Sequence, residues 1–343
     1  MSSVQAMIRV RVVIPCRNEA GYIGRCLGSI ASADRTGMDL EAWVCDGMSE
    51  DGTRAEIEAL HETHPWIKLV DNHARTTPQA MNLGLKPDGY DVGILLGAHA
   101  EVAADFFKQN LAILTMHPEA GCVGGVIENV YTDAMSRRIG AAMGHPFGVG
   151  SAHFRTGLKD GEVDTVAFGA YRGEALSKIG FVDERLSRNQ DDELNYRLIK
   201  AGWKVLLSPR IRSRYYVRAS MGRLFRQYWQ YGYWKVYVNR LHGTVTTGRQ
   251  LVPAAFVLFL ILGSASAFLH PWLAMAFAAG LAVYLLAGLA SAVHAAQRVG
   301  DVIGVLGAFI TLHVAYGSGY LRGILDFVLF RREPQGQAAR SSR

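Results

Sequence analysis

Three consecutive carboxylates, Asp191-Asp192-Glu193, are the residues of this sequence best suited to acid–base chemistry. They stand at the start of a predicted helix that continues through Leu198 and stops at Gly202. Negative charge is stabilised at a helix N-terminus, so helix capping alone would explain one or two of them. Neighbouring like charges also raise the pKa of a carboxyl group, which is how a carboxylate becomes a general base. The stretch is therefore either a solvated acidic helix start or a catalytic centre.

The elements that would position these acids form an alternating pattern. Apolar periodicity predicts strands at 9–15, 40–45, 67–71, 92–96 and 121–128, with helices at 21–33, 54–64, 77–85 and 103–117. Such alternation predicts an α/β, Rossmann-like fold with a mostly parallel sheet covered on both faces. Ligands of these sheets bind beyond the carboxyl ends of the strands. Segments 15–19, 46–53 and 97–101 follow three such ends and are predicted to share one cleft.

The composition divides the chain into a soluble part and an apolar part. The 343 residues are 50% hydrophobic with a net charge of +6, and residues 251–330 carry almost no charge. Arginines cluster before and after that apolar part, which favours anionic lipid headgroups over nucleic acid. The four cysteines lie in apolar segments without metal-ligand spacing, so they are predicted to be reduced core residues of a cytosolic domain.

The apolar part predicts a membrane region. An aromatic and basic helix at 218–248 is predicted to lie at the interface. Uncharged runs at 251–269 and 272–293 are long enough to span a bilayer. A third run, 302–321, is predicted to be re-entrant or interfacial, because two spans keep the basic tail, 331–343, on the cytoplasmic side. The alternative of three spans stays open. The plan is thus a cytosolic domain at 1–217 and a multi-pass membrane region at 249–330.

Several motifs resemble those of family 2 glycosyltransferases, the inverting GT-A type. They are segments 12–19, 46–53 and 189–193, in the order that the family has them. Segments 147–150, 188–197 and 227–234, together with His313, Tyr316 and Gly317, resemble the succinoglycan-type subgroup. Its members are membrane-anchored transferases that build bacterial exopolysaccharide units on a polyprenyl lipid.

The resemblance implies a role for each matching residue. The nucleotide sugar would be held by Pro15, Arg17, Asn18, Glu19, Asp46, Gly47, Arg75 and Asn82. Asp191 would be the base that deprotonates the acceptor hydroxyl, with Asp192 and then Glu193 as the alternatives if the register slips. The acceptor and the diphosphate would be contacted by Phe168, Gly169, Gln227, Arg226, Tyr231 and Trp234, with Lys235 as an alternative cation.

One departure from the family pattern concerns the metal. Family 2 enzymes have an Asp-x-Asp motif after the fourth strand that binds a divalent cation, and this chain has Gly97-Ala98-His99-Ala100-Glu101 there. Three readings follow: His99 and Glu101 hold Mg²⁺ or Mn²⁺ with the diphosphate, basic residues replace the metal, or catalysis is impaired.

The resulting prediction is an inverting hexosyltransferase at the cytoplasmic face of the inner membrane. It would move a hexose from a UDP-sugar to a polyprenyl-diphosphate-linked saccharide in bacterial polysaccharide biosynthesis. The alternative is a catalytically impaired GT-A-fold membrane assembly or regulatory subunit, which Gly97 favours. A nucleotidyltransferase is disfavoured, because no Gly-rich phosphate loop follows the first strand.

Overall fold

The computed structural model describes residues 7–217 and 219–334 in two compact units. The first unit comprises the chain up to Glu128 together with Gly157–Tyr215, and the second comprises Asn129–Thr156 and Tyr216–Glu333. Most of the predicted basic tail, including Arg340 and Arg343, lies outside the described residues, as does Arg218, the first residue of the predicted interfacial helix.

The strands of the described chain form one sheet in the first unit, with the last residues of two strands reaching the second. They are β1 (Ile8–Cys16), β2 (Met38–Asp46), β3 (Ile67–Asp71), β4 (Val92–Leu95), β5 (Ala100–Val102), β6 (Ala120–Val130), β7 (Gly161–Glu162), β8 (Ala167–Arg172) and β9 (Lys204–Tyr216).

Helices occur in both units. They are α1 (Ile23–Ser32), α2 (Thr53–Thr63), α3 (Thr77–Leu85), α4 (Phe106–Met116), α5 (Ala134–Met143), α6 (Pro146–Val149), α7 (His153–Thr156), α8 (Gly173–Ile179), α9 (Gln190–Lys200), α10 (Met221–His242), α11 (Leu251–Ala267), α12 (Pro271–Ala295) and α13 (Val302–Gly323). A π-helical turn, Ile324–Leu329, extends α13.

The sheet has the order β3-β2-β1-β4-β8-β6-β9-β5, with β7 beside β9. The first four strands pair in parallel, as the alternating sequence pattern predicts. The antiparallel strand β8 is inserted between β4 and β6. Because β8 comes late in the chain, local periodicity gave no sign of this insertion, and the sheet is mixed.

The core of the first unit is built by the apolar runs of the central strands. Residues 10–14 of β1 are all buried, since helices cover both faces of a parallel sheet. From α1, the side chains of Ile23, Leu27 and Ile30 pack into this core. They recur at helical spacing, which places them on one face of the helix. Burial of these side chains fixes where each strand ends, and therefore where the following loop begins.

The segment between β6 and β7 belongs to the second unit. The sequence placed it in the 1–217 domain and predicted a loop at 145–150, whereas the structure forms α5, α6 and α7 there. The reason is a long-range contact: the imidazole Nε2 of His313 on α13 lies 2.7 Å from the carbonyl oxygen of Phe147. The His313 Nδ1 lies 2.8 Å from the Tyr284 hydroxyl. Two motifs that the sequence singled out separately are thus joined.

Helices α10 and α13 approach each other at backbone distance. A Cβ atom added to Gly232 would lie 2.0 Å from the carbonyl oxygen of Tyr316, and one added to Gly319 would lie 2.0 Å from that of Trp229. Small residues allow such approach between helices. Aromatic side chains then fill the flanks, where the Tyr233 and Phe327 rings have centroids 4.7 Å apart.

Helices α11 and α12 form a hairpin whose tip is strongly apolar and exposed. Phe268, Leu269 and Trp272 have 91%, 79% and 71% of their surface exposed. By length and composition, three segments of the described chain can cross a membrane: Gly248–Ala267, Pro271–Ala295 and Val299–Leu329. All three predicted apolar runs are therefore helical.

Candidate active site

The loops after β1, β2 and β4 meet at the carboxyl edge of the parallel strands. The register places Cys16 beside Asp46 at the ends of β1 and β2. The Asn18 backbone N–H donates to the Ser49 hydroxyl at 2.7 Å, so the two following loops are tied together. The Leu96 N–H after β4 donates to the β1 backbone. The predicted convergence of segments 15–19, 46–53 and 97–101 is confirmed by this register.

Asp46 braces this edge from within. Its carboxylate has no exposed surface and accepts hydrogen bonds from the Ser49 backbone N–H at 2.9 Å and from the Ser49 hydroxyl. Arg54 Nη1 donates to it at 2.9 Å, and Arg54 Nη2 pairs with Asp71 at 2.9 Å. A direct contact between Asp46 and a nucleotide therefore requires Ser49 or Arg54 to move. The predicted nucleotide contact of Asp46 stays a prediction.

Replacing Arg54 should destabilise the first unit. In Arg54→Ala the buried Asp46 carboxylate keeps its Ser49 contacts but loses its only cation among the described residues. We expect a loss of about 2 kcal/mol in the free energy of unfolding, because an unpaired buried charge is costly. Thermal unfolding measures it. The control is Arg9→Ala, which removes an exposed ion pair with Asp91 and should change the melting temperature much less. Equal shifts in both variants would contradict the bracing role.

A second set of contacts fixes the start of α1 against the loop after β2. Asp51 accepts from the Thr53 side chain and from the Ala20 backbone N–H at 3.2 Å. Burial acts to raise the pKa of Asp51, but these hydrogen bonds outweigh it and leave the pKa below its usual value. The Arg17 side chain runs across Gly47, where a Cβ atom would lie 3.1 Å from it. Arg17 and Gly47, both predicted to bind the donor, are therefore neighbours.

Strained backbone conformations mark the same loops. In the described part of the first unit, the non-glycine residues with φ between 51° and 63° are Asn18, Met48, Arg75, Phe168 and Asn189. Each one lies in or next to a segment that the sequence assigned to the site. Left-handed conformations of non-glycine residues are uncommon and occur at functional sites. This signal is independent of the motifs and points to the same region.

Glu19 and His99 form a pair within the site. The His99 Nε2 contacts the Glu19 Oε2, and both side chains are largely buried. The Glu19 backbone N–H donates to the Thr53 hydroxyl at 2.8 Å, and the rings of Tyr22 and His99 have centroids 4.2 Å apart. The structure thus brings together a predicted donor-binding residue, Glu19, and a predicted metal ligand, His99. The sequence gave no sign that they would contact each other.

The side chain of Phe168 occupies the space beside Gly97, the position at which the metal motif lacks its first aspartate. A Cβ atom at Gly97 would lie 3.2 Å from the Phe168 ring, so an aspartate there would press against that ring. The described residues contain no group of three or more His, Cys, Asp or Glu side chains placed to hold a metal ion. The side chains present therefore do not fit a cation held by protein ligands alone. Binding of Mg²⁺ or Mn²⁺ by His99 and Glu101 stays a prediction.

The acidic trio at the start of α9 divides into different environments. Glu193 is 2% exposed and forms an ion pair with Arg197, whose guanidinium also donates to the carbonyl oxygens of Ile179 and Phe181. Glu193 therefore holds the preceding loop in place. Asp191 is exposed, and Asp192 is partly exposed. Of the three, Asp191 is the carboxylate most accessible to a substrate.

Asp191 lies close to the ends of β6 and β8. Burial is the main reason why the pKa values of the Cys122 thiol and the Tyr171 hydroxyl lie above their usual range, and the negative charge of Asp191 adds to both effects. Cys122 and Tyr171 are paired across the sheet. Gly169, predicted to lie near the acceptor, stands against the same two side chains. The predicted acceptor segment therefore adjoins the two side chains on which the charge of Asp191 acts.

Asn82 has a structural role that the sequence did not reveal. Its amide donates to the Val182 carbonyl at 2.9 Å and to Glu184 at 2.7 Å, and it accepts from the Val182 N–H at 3.0 Å. These contacts fix the loop that leads into α9 and Asp191. Arg75, by contrast, is exposed in a left-handed conformation. The predicted contacts of Asn82 and Arg75 with a donor are not tested by this geometry.

The remaining predicted residues lie on α10 in the second unit. Gln227 donates to the Tyr231 hydroxyl at 2.8 Å, and Arg226 is exposed. Trp234 is 2% exposed and packs against Phe327, so its ring belongs to the core of that unit. Their contact with a diphosphate stays a prediction.

Comparison with known proteins agrees with this fold and these loops. Residues 11–180 match the family model described as glycosyl transferase family 2. The chain is 28% identical over 320 residues to the succinoglycan biosynthesis protein ExoA of Rhizobium meliloti. The matched region covers 92% of this chain and 95% of that protein.

A second relative comes from Methanococcus voltae. The chain is 33% identical over 233 residues to its dolichyl N-acetyl-alpha-D-glucosaminyl phosphate 3-beta-D-2,3-diacetamido-2,3-dideoxy-beta-D-glucuronosyltransferase, covering 65% of this chain and 71% of the relative. Among solved structures, a mannosyltransferase from Pyrobaculum calidifontis in complex with GDP-Man and Mn²⁺ is similar with a TM-score of 0.64. It is 18% identical and covers 93% of this chain and 88% of that one.

The mixed sheet, with its loops gathered at the carboxyl edge of four parallel strands, is of the GT-A type. The chain belongs to glycosyltransferase family 2. It is a glycosyltransferase with relatives in polysaccharide and lipid-linked sugar biosynthesis.

Proposed function

We propose that this chain transfers a hexose, with inversion, from a UDP-sugar to a saccharide carried on a polyprenyl diphosphate. The reaction takes place at the cytoplasmic face of a bacterial membrane during polysaccharide synthesis. The observation that carries the proposal is the exposed Asp191 carboxylate at the start of α9, whose charge acts on the Cys122 and Tyr171 side chains that adjoin Gly169. The name of the Methanococcus relative, which acts on a dolichyl-linked sugar, supports a lipid-linked acceptor, and the name of the Rhizobium relative supports polysaccharide synthesis.

The chemistry assigned to Asp191 is a proton transfer coupled to bond exchange. Its carboxylate takes the proton of the acceptor hydroxyl, and the oxygen then attacks the anomeric carbon of the donor. The bond between that carbon and the diphosphate oxygen breaks, and UDP leaves with the electron pair. Because attack and departure occur on opposite faces of the sugar, the configuration inverts. General-base help of this kind contributes about 10²–10⁴ in rate.

The role of the strand-end loops is to bind and orient the donor. Arg17 and Arg75 supply guanidinium groups suited to phosphate oxygens. Asn18 ties the loop after β1 to the loop after β2, and Glu19 holds His99. This network fixes the loops before the donor arrives, which lowers the ordering cost of binding.

A second function has one observation in its favour. The Phe168 ring fills the space next to Gly97, where family members carry the first metal-binding aspartate. A membrane assembly or regulatory subunit that keeps the fold without catalysis would tolerate this change. The exposed Asp191 and the strained loop residues would then have no catalytic task.

One experiment separates the two functions. The full chain, purified in detergent, is offered a panel of UDP- and GDP-sugars with a lipid extract as acceptor source, with Mn²⁺ and with chelator. Transfer from a UDP-hexose to lipid supports the proposal. Thermal stabilisation by a nucleotide sugar without any transfer or nucleotide release supports the regulatory subunit. Transfer only from a GDP-sugar would refute the donor assignment, and no binding of any nucleotide sugar would refute both functions.

The membrane arrangement that we propose has two spans, α11 and α12, with α13 lying along the surface. At one end of α13, Asp301 accepts from Arg137 at 2.6 Å and from Arg138 at 2.8 Å, both on the charged helix α5. Its other end packs against α10. There Asp326, in the π-helical turn, accepts hydrogen bonds from Arg322 of α13 and from the Tyr233 hydroxyl of α10. Since charged helices hold both ends of α13, the two ends belong on the same side of the bilayer.

Site-directed labelling tests this arrangement. In intact spheroplasts, a membrane-impermeant thiol reagent should label His270→Cys at the hairpin tip but not Ser342→Cys in the tail. After the cells are opened, both should react. The four native cysteines are buried, which keeps the background low. Labelling of Ser342→Cys from outside would mean that α13 crosses the bilayer.

A further inference from the structure

A groove in the second unit is lined by none of the residues that the sequence or the family assigns to the donor, the acceptor or catalysis. It has a volume of about 620 Å³ and is formed by the end of α10, the residues after it, and the π-helical turn after α13. Its wall is apolar and includes Val236, Tyr320, Ile324, Phe327 and Val328. A groove of this size and lining is typical of a small-molecule site.

One cation at the mouth of this groove has no partner in the described chain. Arg240 pairs with Glu333, and Arg322 and Arg332 both pair with Asp326. Arg331 lines the groove and is exposed, and no hydrogen bond or ion pair with another described residue involves it. Each of the three neighbouring arginines therefore has a carboxylate partner, with Asp326 shared by two of them, whereas Arg331 has none among the described residues.

The backbone of Arg331 is also unusual. Its φ of 50° puts it in the left-handed region, like the five residues of the first unit that lie in or next to the predicted site segments. An arginine gains nothing by itself from this conformation, which costs free energy for a residue with a Cβ atom. The consequence here is that the side chain of Arg331 is directed to the groove lining while Arg332 turns to Asp326.

We propose that this groove binds an anionic glycerophospholipid. The phosphodiester contacts Arg331, and an acyl chain lies along the apolar wall. A membrane lipid is favoured over a soluble ligand, because the wall belongs to a segment apolar enough to enter a bilayer. A guanidinium without a carboxylate partner is suited to the oxygens of a phosphodiester. The proposal is independent of the sugar donor and acceptor.

Lipid titrations on the full chain in detergent test the proposal. After delipidation, the melting temperature is followed against added phosphatidylglycerol, phosphatidylcholine and inorganic phosphate. Phosphatidylglycerol should raise it at the lowest concentration, and inorganic phosphate alone should not raise it. In Arg331→Ala the apparent affinity for phosphatidylglycerol should fall about tenfold, as expected for the loss of one charge-assisted contact.

Two further variants separate the groove from general surface charge. Arg298→Ala removes another exposed arginine of the same unit and should leave the lipid response unchanged. Val328→Trp fills the groove without altering charge and should weaken the response as Arg331→Ala does. Equal losses in Arg298→Ala and Arg331→Ala, or an unchanged response in Val328→Trp, would overturn the proposal. Stabilisation by inorganic phosphate as strong as that by phosphatidylglycerol would overturn the lipid assignment as well.

Discussion

Asp191→Asn is expected to reduce the turnover rate by a factor of about 10²–10⁴ while leaving donor affinity unchanged. Asparagine has nearly the shape of aspartate but cannot accept the acceptor's proton at neutral pH. Asp191 is exposed at the start of α9, so the substitution leaves the buried ion pair of Glu193 and Arg197 in place. Initial rates of nucleotide release with lipid acceptor give the turnover, and thermal shifts with the donor alone give the affinity.

Two comparisons make the result specific. Asp160→Asn, an exposed aspartate of the same unit with no role in the site, should behave as wild type. Asp192→Asn should lose less activity than Asp191→Asn, because Asp192 is the less exposed of the two acids. If Asp192→Asn is the more severe variant, the base has been assigned to the wrong carboxylate. If both variants keep full activity, this helix start does not supply the base.

Gly232→Ala is expected to destabilise the helical unit by about 3 kcal/mol or more, which is the upper range for overpacking. The added Cβ atom would lie 2.0 Å from the carbonyl oxygen of Tyr316, and that atom belongs to the backbone of α13. No side-chain rotation relieves such a clash, so the two helices must separate. The yield of monodisperse protein in detergent and its melting temperature measure the effect.

The matched control is Gly222→Ala on the same helix, where the nearest atom to an added Cβ is the Ser220 hydroxyl at 3.9 Å. It should be neutral or slightly stabilising, since alanine has the higher helix propensity. Similar melting temperatures for the two variants would show that α10 and α13 do not pack closely in detergent. The groove beside Arg331 would then lose its walls as well, because they come from the same helix pair.

These two variants act on different links between sequence and function. Asp191→Asn leaves the fold and removes one acceptor of a proton. Gly232→Ala leaves every predicted catalytic residue unchanged and separates α10 from α13. If Asp191→Asn loses transfer at normal stability, the chemistry takes place in the first unit. If Gly232→Ala loses stability, the glycine contacts between α10 and α13 hold the second unit together.

The sequence alone predicted the parallel half of the sheet closely. The predicted bounds of β3, 67–71, and α3, 77–85, coincide with the structure. Apolar periodicity reports which face of an element is buried, and in this half the connections are short, so neighbours in sequence are neighbours in space. The convergence of the loops after β1, β2 and β4 follows from the same pattern.

The acidic trio shows where sequence reasoning ends. The residue types and the helix start were evident, but three adjacent acids gave no order of preference beyond the family register. Glu193 is disfavoured as the general base because it forms an ion pair with Arg197, which also donates hydrogen bonds to carbonyl oxygens of the preceding loop. The distinction between Glu193 and the other two acids depends on how residues 179–181 fold against Arg197. The spacing of the three acids in the sequence does not specify that fold.

What the sequence determined by itself is the alternation of strands and helices, the loops at the strand ends, the acidic helix start and the three apolar segments. Only the tertiary structure decided that α5 and α6 belong to the second unit, that Asp46 is a buried brace, that Glu19 pairs with His99, and that Phe168 covers Gly97. The physical reason is that hydrophobic patterning is local and specifies burial, whereas these contacts join residues that are distant in the chain. Their partners are chosen by packing and charge compensation once the chain has folded.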